Sequence, residues 1–148
     1  MNSVKVERLG PGDEDRLADA APGVFDNAVD PELAGRFLAG GHNVLVAAFE
    51  GKRSVGFASG LIYLHPDKPL HLWVNEVGVA PAYRRQGIGK RLMQAMRRVA
   101  AEEGCSECWL LAAPDDAAAN ALYRSLAGWR GPTRQVMYAV DLTKEETI

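Results

Sequence analysis

The chain has 148 residues, of which 47% are hydrophobic and 24% charged, and its formal net charge is −2. That length suits one domain over residues 1–148, with a core large enough to need no metal or disulfide staple. The acidic balance disfavours a general nucleic-acid binder, which needs a basic surplus, and no apolar run nears the ~18 residues of a membrane span.

Val4–Leu9 alternates apolar and polar residues and predicts a first strand, broken by Gly10-Pro11-Gly12-Asp13. Asp13 is a candidate N-cap for a helix over Glu14–Ala21, which Pro22-Gly23 ends. A short helix follows over Pro31–Leu38, with Asp30 as cap and Pro31 at its first position. Val44–Phe49 and Ser54–Leu64 read as a hairpin around Glu50-Gly51-Lys52. His65–Leu70, with Pro66 and Pro69, is a loop before a fourth strand, His71–Ala80, which Pro81 stops.

The clearest element is a helix over Gly87–Glu103. Ile88, Leu92, Ala95, Met96, Val99 and Ala100 form one apolar stripe, Arg97 and Arg98 belong to a solvated face, and Gly104 is the C-terminal cap. A fifth strand is expected over Glu107–Ala112, and a helix capped by Asp115 or Asp116 runs to about Leu126. Arg134–Leu142 predicts a last strand, with Lys144–Ile148 a loose tail. The mixture of strands and helices defines an α/β domain with a mixed sheet.

Cys105 and Cys108 are spaced as a redox or half-zinc motif, but a structural zinc site needs four ligands. No second pair exists and His42, His65 and His71 are scattered, so two free thiols and no metal are expected. The N-terminus lacks the regions of a secretory signal, which makes the cytoplasm the expected location.

The stretch Val77–Leu92 carries the chemistry. It reads as strand, tight turn with Arg84 and Arg85, and a helix opening on Gly87 and Gly89. Bare N–H groups at a helix start, flanked by Arg84, Arg85 and Lys90, suit a phosphate. Two other phosphate motifs fail: the Walker pattern lacks its first glycine at Arg84 and its Ser or Thr at Arg91, and the dinucleotide fingerprint lacks a glycine at Leu92. A second cluster lies at Asn120-Ala121-Leu122-Tyr123, where Asn120 and Tyr123, three apart, share a helix face.

The spacing Arg84-x-x-Gly87-x-Gly89 resembles the acetyl-coenzyme A pyrophosphate loop of the GNAT superfamily of N-acetyltransferases. The element order is similar over the whole chain, most tightly from Glu76 to Gly128. This resemblance implies a single-domain GNAT fold whose mostly antiparallel sheet splays between strands 4 and 5, flanked by helices. It implies acetyl-CoA as cofactor: its pantetheine against Val77 and Val79, with Gly78 easing the bulge that opens the splay, and its pyrophosphate on Arg84, Arg85, Gln86, Gly87, Ile88, Gly89 and Lys90. Asn120 and Tyr123 would face it, with Tyr123 protonating the departing thiolate.

Direct attack by a protonated amine needs a base, and Glu76, beside Val77 and facing the opposite way, is the candidate; an ion pair with an arginine is the other reading. The features Arg8-Leu9-Gly10-Pro11, Val46-Ala47-Ala48-Phe49, Arg84–Ile88 and Asp115-Asp116 resemble the aminoglycoside 3-N-acetyltransferase branch. That implies a polycationic amine substrate held by Glu76, Asp115 and Asp116, with help from Asp26, Asp30, Glu32 and Asp67, and a role in antibiotic resistance. Asp115 as a mere helix cap, and another polyamine, amino sugar or protein amine as acceptor, stay open. A non-catalytic acyl-CoA or RNA-binding module using Arg84–Arg98 is the reading from another class. No membrane or nucleic-acid partner is expected, and the resemblance admits a homodimer, since relatives are often dimers.

Overall fold

The structure, a computed structural model, describes residues 3–144. Met1, Asn2 and most of the tail read over Lys144–Ile148 lie outside the described residues. Five strands, β1 (Val4–Leu9), β2 (Asn43–Glu50), β3 (Arg53–Tyr63), β4 (His71–Val79) and β5 (Glu107–Leu110), form one sheet in that order. All neighbours are antiparallel except β4 and β5, which are parallel. A parallel pair cannot be joined by a hairpin, and α2 (Ile88–Glu102) makes the crossover between them.

Helix α2 holds the core. Its apolar stripe puts Leu92, Met93 and Met96 at 0% exposure against the sheet, and burying each side chain contributes about 1.5–3 kcal/mol. Gly87 opens the helix from the left-handed region at φ 76°, where a side chain is strained. Past Glu103, Gly104 at φ 80° turns the chain so that the Cys105 N–H reaches Ala100 O at 2.9 Å, a helix-closing bond. The other face of the sheet is covered by the loop before α1 (Pro31–Ala39), where Phe25 stacks on Phe57 with centroids 4.2 Å apart. Asp30 caps α1 as expected, accepting from Glu32 and Leu33 N–H.

Three expectations are corrected. Over Glu14–Ala21 only a single 3-10 turn forms, Glu14–Leu17. The rest is drawn to the sheet: Asp19 O accepts from Ser54 N–H at 2.9 Å and Ala21 N–H donates to Ser54 O at 2.8 Å. Asp13 does not cap that turn; its carboxylate accepts from Gly10 N–H at 2.9 Å.

The predicted strand Arg134–Leu142 is absent, and that segment is exposed throughout. Strand propensity alone does not make a strand; it needs a partner edge. Arg97 lies on an exposed face, as expected, and from there donates to Ala127 O at 2.8 Å, which ties α2 to the end of α3 (Ala117–Arg124).

Candidate active site

The site begins where two strands part. β4 and β5 pair from His71 with Glu107 to Val74 with Leu110, and no further. Beyond Val74, β4 keeps β3 on one side and pairs with no strand on the other among the described residues. Backbone groups alternate in direction along a strand. Since Ala80 N–H donates to Val55 O on β3 at 2.9 Å, the N–H groups of Val77 and Val79 face the other way, into the gap. Those two residues thus offer a linear ligand a free strand edge.

The bulge lies not at Gly78 but at Asn75, where the register slips: Gly60 opposes Val74 while Ser59 opposes Glu76. The extra residue reverses the side-chain alternation. Leu72 and Val74 face α2, and so do Val77 and Val79 past the bulge; Glu76 and Gly78 face the opposite side with Trp73. Gly78 is needed there for space. A Cβ on it would lie 2.3 Å from Val24 O and 2.9 Å from the Phe57 ring.

The turn after β4 is shaped for an anion. Pro81–Tyr83 form a short 3-10 turn, Arg85 takes φ 63° and Gly87 φ 76°. The N–H groups from Arg85 to Lys90 have no backbone acceptor among the described residues. Consecutive free N–H groups at the start of a fifteen-residue helix form a concavity that attracts negative charge. Arg84, Arg85, Gln86, Gly87 and Lys90 are exposed around it, while Ile88 is buried in the core.

Arg84 donates from Nε to Val79 O at 3.3 Å, and Tyr83 braces the turn from below by donating to the Glu50 carboxylate at 2.9 Å. That hydrogen bond, with burial, raises the Tyr83 hydroxyl above its usual pKa. Gly89 turns out to serve packing: a Cβ there would meet Leu122 of α3 at 3.1 Å. It permits the close approach of α2 and α3, the helix that carries Tyr123.

Tyr123 is half-buried, and burial first, the Asp116 charge second, raise its pKa. Its hydroxyl therefore holds its proton at any physiological pH. Asn120 sits one turn earlier, but its amide N–H groups are spent on Ala113 O and Asp116 O, each at 2.8 Å. It fixes the loop before α3. Asp116 is that helix's cap, accepting from Ala119 N–H at 3.0 Å. Asp115 is exposed.

Glu76 is exposed and has no hydrogen-bond or ion-pair partner among the described residues, so the arginine pairing is not formed. On its face of the sheet lies a group that the sequence reading did not single out. Trp73 stacks on Trp109 with centroids 5.9 Å apart, and Tyr63 meets Trp109 edge-on at 6.4 Å. The signal was available in the period-two pattern of β3 and β4, but the bulge hides that Glu76 shares their face.

Cys105 and Cys108 are free thiols. Burial pushes Cys108 up to about 12, which leaves it unreactive. Among the described residues no group of three metal-ligating side chains gathers, and no helix is long and apolar enough to cross a membrane.

A split sheet edge and an anion-binding turn at a helix start together suit an acyl-CoA-dependent acyltransferase. The profile of the Acetyltransferase (GNAT) family matches residues 14–129, and the chain belongs to that family. It is 34% identical over 140 residues to the N-alpha-acetyltransferase RimI of Mycobacterium tuberculosis, covering 93% of this chain and 86% of that protein.

It is also 32% identical over 104 residues to an L-2,4-diaminobutyric acid acetyltransferase of Nocardia farcinica, covering 69% of this chain and 52% of that protein. Among solved structures, an aminoglycoside acetyltransferase from an uncultured soil metagenomic sample, in complex with sisomicin, shares the fold. Its TM-score is 0.79 at 20% identity, over 93% of this chain and 97% of that one.

The protein is an acetyl-CoA-dependent N-acetyltransferase, with the splayed GNAT sheet that the family implies. The free amides from Arg85 to Lys90 fit the cofactor's pyrophosphate, and the gap-facing amides of Val77 and Val79 fit its amide-bearing arm. A cleft of about 200 Å³ between α2 and the end of α3 adds Lys90 and Arg97 beside the apolar Leu126 and Trp129.

Proposed function

We propose that the enzyme acetylates a primary amine by direct attack, with Glu76 as base, the Val77 N–H as oxyanion donor and Tyr123 as acid. The observation that carries this reading is the pairing of an unpartnered Glu76 with a gap-facing Val77 N–H on adjacent residues of β4. When bound, acetyl-CoA supplies the acetyl group as a thioester and leaves as the thiol. Glu76, on the open face, takes a proton from the incoming ammonium, directly or through water, because only the free amine is nucleophilic. As nitrogen bonds to the carbonyl carbon, the Val77 N–H meets the charge that develops on oxygen; it is fixed beforehand by the strand and needs no reorganisation. Tyr123 gives its proton to sulfur as the C–S bond breaks. The second proton of the nitrogen restores the tyrosine.

For the acceptor we favour an α-amine of an amino acid or peptide. One sequence relative above is named for N-alpha acetylation and the other for acetylating an amino acid, and at 34% and 32% identity they lie nearer than the aminoglycoside enzyme at 20%. The carboxylates available for a polycation also thin out: Asp116 and Asp30 cap helices and Asp67 pairs with Lys68 at 3.2 Å. The second reading is an aminoglycoside amine, the 3-amine first, in a resistance enzyme. It is favoured by the shared fold and by the exposure of Glu76 and Asp115 on an acidic protein.

Release of coenzyme A thiol from acetyl-CoA, measured with peptides of free N-terminus, with 2,4-diaminobutyrate and with aminoglycosides, separates the two. Fast release with peptides, or with the amino acid where the product is acetylated on its α-nitrogen, supports the first. Release with aminoglycosides alone replaces it by the second.

A further inference from the structure

The open face of the sheet around Glu76 carries more than a carboxylate. Trp73 of β4 lies opposite Leu61 of β3 on one side and Trp109 of β5 on the other, and all three stand on the face away from α2. The two indoles stack at 5.9 Å with 20° between their planes, and Tyr63 meets Trp109 and His71 edge-on. Trp73, Trp109 and Tyr63 are half-buried and Leu61 is 36% exposed, so the group is not sealed into the core. Helix α1 packs on β2, toward the other side of the sheet. Large rings left partly wet beside a reactive group suit recognition, because they offer wide contact area at little cost in side-chain freedom.

The fold also fixes which way a bound acceptor can run. The α2 face of β4 is filled by the core, where Leu72 and Val74 are buried, so an amine reaches Glu76 from the open face. Past Glu76, toward the end of β4, that face is closed. The Val24 carbonyl leaves no room for a Cβ on Gly78, and Phe25 stacks on Phe57, the residue opposite Gly78. The way left along β4 runs back over Trp73. Three positions separate Trp73 from Glu76, at most ~10 Å by strand rise, a distance that the first two residues of a peptide and their side chains span.

We propose that Trp73, Trp109 and Leu61 form a specificity surface, on which a large apolar or aromatic side chain of the acceptor's first or second residue packs while the α-amine meets Glu76. The inference rests on the α-amine reading above and names the side chain that such an acceptor carries. An apolar side chain is the occupant that fits, since it covers wet indole and leucine surface. An acidic one would give up its water against carbon-lined rings.

Release of coenzyme A thiol from acetyl-CoA by the intact chain tests this, with short peptides of free N-terminus that differ only in carrying Phe, Leu, Ala or Asp at the first two positions. The kcat/KM for the Phe or Leu peptides is expected to exceed that for Ala and Asp by roughly tenfold or more. Trp73→Ala brings that ratio to within about twofold of unity. Leu61→Glu, at a partly exposed position that leaves the indole stack in place, lowers the same ratio by roughly tenfold. A merely structural defect lowers the rate on every peptide alike and leaves the ratio where it was. Equal rates on all peptides in the wild-type enzyme, or a preference for the small or acidic ones, overturn the inference and leave the α-amine reading standing. A preference for Phe and Leu that survives both substitutions overturns it as well. If no peptide is acetylated, the α-amine reading falls and this inference falls with it.

Discussion

The body of the protein and its C-terminal end are built differently. In α2, Ile88, Leu92, Met93, Ala95, Met96, Val99 and Ala100 are all buried, and the helix touches every strand. In α3 no residue is fully buried; Leu122 and Tyr123 pack only partly against the core, and Leu126, just past the helix end, is the buried residue of the region. The anion-binding turn and the gap-facing amides of β4 belong to the first region, Tyr123, the proposed acid, to the second. Groups that must hold a flexible ligand in fixed register rest on the tight core. The proposed proton donor, Tyr123, rides on a lightly packed helix.

The sharpest way to break this contrast is Tyr123→Phe. It removes one hydroxyl from a half-buried site and leaves the ring packing in place, so little stability is at stake. Turnover is expected to fall roughly tenfold to a thousandfold, up to about 4 kcal/mol of transition-state stabilisation, with the KM for acetyl-CoA nearly unchanged. Steady-state kinetics beside a thermal melt decides it. A large drop in melting temperature would show that α3 is more integral to the fold than its exposure implies, and an unchanged rate would remove Tyr123 from the chemistry.

Gly78→Ala is the converse. The added methyl meets a backbone oxygen, Val24 O, at 2.3 Å and cannot be relieved by a side-chain rotation. About 1–3 kcal/mol of stability is expected to be lost, read as a lower midpoint in urea with an unchanged slope. Since Gly78 lies between Val77 and Val79, affinity for acetyl-CoA should fall with it. Lost stability at full cofactor affinity would separate the strand edge from the core that is argued to hold it.

The same contrast governs what could be read from the chain. The stripe on α2, the hairpin and Asp30 with Pro31 are local signals that the tertiary structure obeys. The Arg84–Gly89 turn is equally local, since its function is carried by its own backbone. By contrast, the bulge at Asn75 carries no glycine or proline to mark it, because it is set by the mismatch between β3 and β4. Gly78 and Gly89 look like conformational glycines in sequence but are close-approach glycines in space, answering to Val24 and Leu122. Residues 134–142 read as a strand and are not one within the protomer, because a strand is a property of a pair. Asn120 and Asp116, legible as site residues, spend their hydrogen bonds on shaping the start of α3.

Glu76→Gln is the smallest effect and the most informative about the acceptor. The amide cannot take a proton, so the variant should lose rate where the acceptor is protonated and keep it where the acceptor is already the free base. A loss of roughly tenfold is expected at the low end of the pH range, shrinking as pH rises. The pH at which the loss vanishes reports the acceptor's own pKa. An α-amine, near ~8, and an alkyl amine, near ~10.4, differ by more than two pH units. kcat/KM profiles of the two enzymes on one acceptor would show the crossover. Fading near pH 8 fits the α-amine reading, and a loss that persists to pH 10 fits an alkyl amine. A pH-independent loss would make Glu76 a binding residue rather than a base, since a lost charge contact does not depend on who carries the acceptor's proton.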